Sequence, residues 1–427
     1  MDPLGNYYAA TADQPPPRPP LAGDIEAQVC VVGAGFAGLA TALGLLERGA
    51  RSVVVLEANT VGHGASGRNG GFVFGGYSLD CVDLLRQVGP EQARAAYGLT
   101  RDAVDLIRRR VRRYRIACDL VEGGALLVNW FDDDNRILFE RQRLMSEHFG
   151  IRWEFIDKQR LDTMVRSKRY AGALREADAF HFQPLKYVRG EANAIESLGG
   201  RIFEQTGAEA VETGPRGMVV RTAAGSVLAE QVVIAGGGYL AGLAAELERA
   251  MLPIATYVMV TEPLHGTLAK CLPSRAAVYD TRFAFDYYRG LDDTRLLWGG
   301  RISIRDRSPA DIAVFLRRDM LRVFPSLREA RIEFAWSGLM SYARHKMPQI
   351  GRLPNGAWYA LGFGGHGVAP TTAAGEILGD AVLGLAPIPA LFSRYRLPRT
   401  LGPVGLGAAQ LGYSWFQLRD WQRRANS

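Results

Sequence analysis

The chain has 427 residues, of which 48% are hydrophobic and 22% charged, and its formal net charge is +7. This is the composition of a globular chain long enough for two domains of ordinary size. It excludes a membrane span, because no stretch approaches the roughly 20 uninterrupted apolar residues that one needs.

Met1 to Gly23 carries Pro15, Pro16, Pro17, Pro19 and Pro20 and reads as an extended arm ahead of the fold, without the basic-then-apolar pattern of a secretory leader. Ala27 to Val32 is a short, valine-rich run that suits a strand buried on both faces, with Cys30 as a core residue. Gly33-Ala34-Gly35-Phe36-Ala37-Gly38 follows at once, and Leu39 to Arg48 then has helical spacing that stops at Gly49. Gly33 allows the tight turn, Gly35 lets the backbone approach a pyrophosphate, and Gly38 lets the helix pack close to the strand. The helix N-terminus offers free amides and a partial positive charge to phosphates. A second strand, Ser52 to Leu56, ends in Glu57, about twenty residues beyond the glycines, where an acid accepts hydrogen bonds from a ribose 2′-OH and disfavours a 2′-phosphate. Together these residues form a dinucleotide site. A second glycine-rich loop, Gly64-Ala65-Ser66-Gly67-Arg68-Asn69-Gly70-Gly71, ahead of Phe72, indicates that the dinucleotide is FAD.

Residues 82–116 and 134–149 read as amphipathic helices. The first contains Arg108, Arg109, Arg110, Arg112, Arg113 and Arg115, which invite a nucleic-acid reading. Only five of the 51 basic residues are lysines, however, so the excess is a bias spread over the chain. Val104, Ile107, Val111 and Tyr114 place the run on a helix whose basic face is solvated, and no nucleic-acid partner is expected. Cys30, Cys81, Cys118 and Cys271 are scattered, and His148, His181 and His265 have no ligand spacing. No metal, no disulfide and a reducing, cytoplasmic setting are expected.

Between 199 and 233 lie short strands with glycine turns, the last running into Ala235-Gly236-Gly237-Gly238, again suited to close approach of a ligand. Residues 253–263 and 284–304 are further strand candidates, the second with Phe285, Tyr287, Tyr288, Leu296, Leu297 and Trp298. Residues 310–324 have a helix pattern. Trp336-Ser-Gly follows, then Trp358 to Gly365, His366, Gly367 and Val368, and a helix over 372–383. A strand, a glycine loop and a helix thus recur near the C-terminus. The expected fold is α/β. A discontinuous Rossmann-like FAD-binding domain of the glutathione-reductase type is built from 24–80, 181–245 and 335–400. An α+β substrate cap is inserted from 81–180 and 246–334, and 401–427 is a helical tail.

The stretches Gly33 to Gly38, Glu57, Gly64 to Gly71, Ala235 to Gly238 and Gly362-Phe-Gly-Gly-His-Gly-Val resemble the FAD-dependent glycine/D-amino-acid oxidase superfamily. Tyr7-Tyr8-Ala-Ala-Thr-Ala, Trp336-x-Gly, Pro348-x-Ile-Gly and Leu411-Gly-Tyr-Ser-Trp-Phe-Gln-Leu-Arg-Asp are similar to its gamma-glutamylputrescine oxidoreductase subgroup. The resemblance implies FAD contacts at Gly33, Gly35, Phe36, Ala37, Gly38, Glu57, Ala58, Ala65, Ser66, Arg68, Asn69, Gly70, Gly71, Ala208, Gly236, Gly237, Gly365, His366, Gly367 and Val368. His63 and Phe72 depart from the tryptophan and glutamine usual in the subgroup. Covalent relatives attach flavin through a cysteine in a C-terminal segment or a histidine aligned with Arg68. Here Cys271 is the last cysteine and Arg68 replaces the histidine, so non-covalent FAD is implied.

Amine oxidation needs a neutral amine, which apolar walls favour by desolvation, while aromatic faces hold the cationic form. Phe72, Phe285, Tyr287, Tyr288 and Trp336 are candidates for such walls, with core packing as the competing reading of each. His366, Phe72, Tyr288 and Trp336 form the candidate catalytic set, His366 by stabilising a reduced flavin. The implied reaction is oxidation of a small-molecule amine, gamma-glutamylputrescine or a relative, with oxygen as acceptor. Related oxidases use a lysine near the flavin for the reaction with oxygen; the matching segment here offers Arg295 and Arg301 instead, and Lys346 belongs to a different segment. The rival readings are a dehydrogenase that passes electrons to a quinone at a membrane, and a flavin-binding subunit without turnover. The first draws on Trp415, Phe416, Leu418 and Trp421 among arginines, a stretch that suits either a membrane surface or a helix docked on the cap.

Overall fold

The computed structural model describes residues 4–425. Two sheets organise them. In the first, the path runs Gln349–Arg352, Trp358–Leu361, Gly225–Ile234, Ile25–Val32, Val53–Leu56 and Arg201–Phe203, with the hairpin Ala208–Gly214 and Gly217–Thr222 attached to Gly225–Ile234. The pairings from Trp358–Leu361 to Arg201–Phe203 are parallel, and Val29 to Val32 and Val53 to Leu56 at their centre are apolar and buried, as strands covered on both faces must be. Phe36–Glu47 covers one face and is buried over ten of its residues, so it is apolar almost all round. It packs against the helix Val368–Val382 so closely that a Cβ at Gly375 would sit 2.6 Å from the Ala40 backbone.

The second sheet has the order Ile332–Ala343, Met251–Thr261, Leu296–Ser303, Asp286–Gly290, Ala277–Asp280, Ala125–Val128, Gly172–Glu176 and Glu154–Asp157. It is mostly antiparallel and carries its own core around Trp298, Tyr288 and Phe324, under the helix Pro309–Val323. Residues 335–343, expected with the nucleotide segments, are most of an edge strand of this sheet. A short ladder, Phe72–Val73 with Phe180–His181, ties the second glycine loop between the two sheets.

Two further expectations, the extended arm and the solvated arginine face, are corrected. The arm is not extended throughout: Tyr7–Thr11 is a helical turn capped by Asn6, and Tyr8 is fully buried against Trp336, with ring centroids 5.2 Å apart. The arginine run is not wholly a solvated face. Arg110 is buried and pairs with Glu47 and Glu376, both at 2.7 Å, pinning the helix Cys81–Arg113 to the two helices that cover the first sheet. That helix is also broken at Gly89, whose φ of 79° precedes Pro90. The tail is the helix Gly402–Ala425, and it docks on the second sheet's loops. Phe416 stacks on Phe283, Gln410 accepts from the Ile304 amide, and Asp420 accepts from the Phe283 amide. Among the described residues no helix is long and apolar enough to cross a membrane.

Candidate active site

A cavity of about 1930 Å³ opens where Ile25–Val32, Val53–Leu56 and Gly225–Ile234 end. Ligands of open parallel sheets bind at these carboxyl ends. The volume exceeds the roughly 300–1,000 Å³ of an ordinary ligand pocket, so there is room for a dinucleotide and a second molecule.

One half of the wall is a cradle made mostly of backbone. Gly33 has φ 105°, and a Cβ there would meet the Ala235 carbonyl at 2.8 Å. Gly35 caps the helix Phe36–Glu47 without a side chain, and its Cβ position is 3.0 Å from Ser66 Oγ. Ser66 Oγ accepts from the Phe36 amide at 2.9 Å, which joins the two glycine loops. Glu57 accepts from the amides of Ala34 and Asn59 at 2.8 and 2.9 Å and lines the cavity beside Ala58, Gly207 and Ala208. Ala37, Gly236 and Gly237 complete this end. Bare backbone, a helix N-terminus and an acid at the second strand's end fit the ADP half of FAD.

Asn69 shapes the second loop. Its Nδ2 donates to the carbonyls of Ala65 and Ser66, and its Oδ1 accepts from the Gly71 amide. Arg68 Nε donates to the His63 carbonyl. Behind the loop stands Arg289, buried and in no salt bridge among the described residues. It donates to the Gly70 carbonyl at 2.8 Å, the Phe182 carbonyl at 2.9 Å and the Tyr8 hydroxyl at 3.3 Å. Neither Arg289 nor the docking of Tyr8 is anticipated from the sequence. A charged residue inside an aromatic strand is the signal that points to Arg289.

Ala65, Ser66, Arg68, Asn69 and Gly70 share the cavity lining with Gly338 to Ala343, which begins against Arg68, and with Phe363 to Ala369. Here Gly365, Gly367 and Val368 bring the N-terminus of the helix Val368–Val382 to the wall. His366 Nε2 lies 3.0 Å from the Gly75 carbonyl, and burial pushes the imidazole down to about 4. At neutral pH it is an uncharged ring that donates to Gly75, so positive charge at this end comes from the helix amides.

The remaining wall is aromatic. Phe72 meets Tyr287 edge-on at 5.4 Å, Phe74 stacks on Tyr279 at 5.4 Å, and Phe285 lies 6.3 Å from Tyr287. Lys346 lines the same cavity, its ammonium 5.7 Å above the Phe283 ring. Arg301 lines it also, paired with Asp319, whereas Arg295 lies elsewhere, paired with Asp293 and Glu333.

The expected site residues therefore divide. Of the cofactor set, all line the cavity except Gly38 and Gly71. Those two work from behind: a Cβ at Gly38 would be 1.9 Å from the Gly33 carbonyl, and one at Gly71 2.1 Å from the Phe182 carbonyl. Phe72 and His366 line the cavity; Tyr288 and Trp336 do not. Side chains alternate along a strand, so Tyr287 faces the cavity while Tyr288 is wholly buried in the second core, stacked on Trp298 at 4.5 Å. Trp336 packs between Tyr8 and the second loop, donating from Nε1 to the Arg68 carbonyl at 2.9 Å.

Comparison with known proteins gives the family. A family model described as FAD dependent oxidoreductase, DAO, matches residues 28–381. The chain is 36% identical over 423 residues to the gamma-glutamylputrescine oxidoreductase of Escherichia coli (strain K12), covering 97% of this chain and 98% of that protein. It is 32% identical over 429 residues to the probable oxidoreductase OrdL of Haemophilus influenzae, covering 98% and 97%. The crystal structure of glycine oxidase from Geobacillus kaustophilus shares the fold, with a TM-score of 0.73 at 22% identity over 88% of this chain and 99% of that one. The chain belongs to the DAO family of FAD-dependent oxidoreductases and is an FAD enzyme of the amine and amino-acid oxidase type.

Proposed function

We propose that the enzyme oxidises a primary or secondary amine of the gamma-glutamylputrescine type to an imine, which water converts to an aldehyde or keto product. The observation that carries this reading is the aromatic wall of Phe72, Phe285 and Tyr287 in the same cavity as the dinucleotide cradle. Full-length similarity to a gamma-glutamylputrescine oxidoreductase supports the substrate class.

FAD, when bound, supplies an acceptor for the hydride leaving the carbon beside nitrogen. The chain's own residues do the rest. Gly33, Gly35, Phe36, Ala37, Glu57, Ala58 and Ala208 would hold the ADP half, with Gly236 and Gly237 closing over it. Ala65 to Gly70, together with Gly365 to Val368, would hold the ring, non-covalently, since Arg68 is not a nucleophile. The amides at the start of Val368–Val382 would offer partial positive charge to a flavin that gains negative charge on reduction. The aromatic wall strips water from the amine and so favours its neutral form, the only one that gives up hydride readily. Oxygen is the acceptor favoured here, with Lys346 and Arg301 as cations on the cavity wall.

A second acceptor, a membrane quinone, has one observation in its favour. Val404, Leu411, Trp415, Leu418 and Trp421 on the tail helix are exposed although its other face is docked. The test is anaerobic mixing of the yellow protein with gamma-glutamylputrescine, polyamines and amino acids, followed by admission of air. Bleaching by an amine and rapid reoxidation are expected. Bleaching with slow reoxidation in air, quickened by a soluble quinone, would move the acceptor to the second reading. A flavin that no amine bleaches would overturn the proposal.

A further inference from the structure

Beyond the aromatic wall, the cavity ends in a chamber that the chemistry above leaves without a role. Glu176, the last residue of Gly172–Glu176, lines it and is 8% exposed. Its carboxyl accepts from the Gly75 amide, and among the described residues it forms no ion pair. The other charges nearby are matched: Asp80 with Arg141, Asp83 with Arg86, and Arg101 with Asp178. A buried carboxylate without a cation is costly. Its surroundings are those of a cation site. Phe74 and Tyr279 stack at an interplanar angle of 7°, Tyr97 packs on Gly75 and Gly76, and burial, with the Glu176 carboxyl second, raises the phenols of both Tyr97 and Tyr279. Burial pushes the carboxyl itself up to about 8, so a cation arriving beside it would draw it into its ionised form. The chamber adjoins the ring-binding end of the cavity, because Gly75 bonds His366 through its carbonyl and Glu176 through its amide.

We propose that Glu176 is the counter-ion for a second ammonium group of the substrate, held among the Phe74, Tyr97 and Tyr279 rings while the reacting amine lies at the Phe72–Tyr287 wall. The inference rests on the amine-oxidising reading above and adds a substrate class to it: amines with a cationic group at the end remote from the reacting carbon. The two ends are then treated oppositely. The reacting nitrogen is desolvated and neutral; the remote one keeps its charge because an anion and three aromatic faces replace its water. A monoamine of the same length has nothing to place there.

The experiment compares 1,4-diaminobutane with butylamine on the FAD-loaded protein, wild type against Glu176→Gln. Glutamine keeps an acceptor for the Gly75 amide, and an unchanged flavin spectrum and melting temperature would verify the fold. Anaerobic stopped-flow reduction should show the apparent Kd for 1,4-diaminobutane raised on the order of tenfold or more. The limiting rate, and both constants for butylamine, should stay the same. Glu176→Asp, which keeps the charge, should retain part of the discrimination. Equal losses for both amines, or none for either, would overturn the inference while leaving amine oxidation standing. Calorimetric titration with 1,4-diaminobutane separates the reverse case: binding that depends on Glu176 without bleaching would retain the subsite and sink the proposed reaction. Absence of binding to the wild type would overturn the subsite.

Discussion

The cradle and the chamber are two halves of one cavity built in opposite ways. The cradle is contiguous backbone: residues 33–38, 57–58 and 64–71 supply most of it, and the essential property at Gly33, Gly35 and Gly70 is the absence of a side chain. The chamber is side chains on strands and helices far apart in sequence, with Phe72 and Phe74 meeting Tyr287 and Tyr279 from the other sheet, and Tyr97 and Glu176 beyond them. A dinucleotide's phosphates ask for amides and space, which any chain provides through one local turn. A particular amine asks for shape and charge, which only tertiary packing provides. Cofactor holding and substrate choice are therefore separable by mutation.

The comparison breaks most severely if a cradle glycine gains a side chain. Gly38→Val would put a Cβ into the Gly33 carbonyl. It should cost more than about 4 kcal/mol, read as loss of yellow soluble protein, and a stable yellow variant would contradict the packing described. Next is Arg289→Met. It removes the buried donors to Gly70 and Phe182, each worth about 1.5–3 kcal/mol as a hydrogen bond from a charged group. FAD affinity, measured by fluorescence titration of the apoprotein, should fall steeply, and lysine should not restore it because its single ammonium cannot copy the fork. Glu57→Ala comes third, weakening FAD by roughly 1–3 kcal/mol with amine selectivity intact. The smallest effect is expected of Tyr288→Phe. Its hydroxyl lies 3.4 Å from that of Tyr170 inside the second core. Stability should fall by about 1 kcal/mol or less, and flavin reduction by amines should not change; a kinetic defect would return Tyr288 to the site.

The same division explains what was legible in the sequence. Strand, glycine turn, helix and Glu57 could be read because each feature is local and each glycine has a geometric reason. The period-2 rule, applied to Phe285, Tyr287 and Tyr288, narrows the cavity face to one of two registers, but the choice between Tyr287 and Tyr288 depends on which side the second core lies. Trp336 is chemically as suitable as Tyr287, and only the docking of Tyr8 reveals it as a prop for Arg68. The helix Pro184–Ser197 has Gln183 as its cap and proline in its first turn, signals that hydrophobic periodicity passes over. Ala125–Val128, Glu154–Asp157 and Gly172–Glu176 are four- and five-residue strands whose meaning comes from their partners. Glu176 was invisible for that reason.

The most direct test of the separation is Phe72→Gln, read in two ways on the same preparation. Phe72 touches Tyr287 and Phe74 but makes no part of the backbone cradle. Stopped-flow reduction by several amines should show their relative Kd values or rates redistributed by roughly 10- to 200-fold, the range one apolar contact commands, while FAD affinity stays unchanged. A uniform change for every amine, or a loss of FAD with selectivity preserved, would contradict the division between the two halves of the cavity.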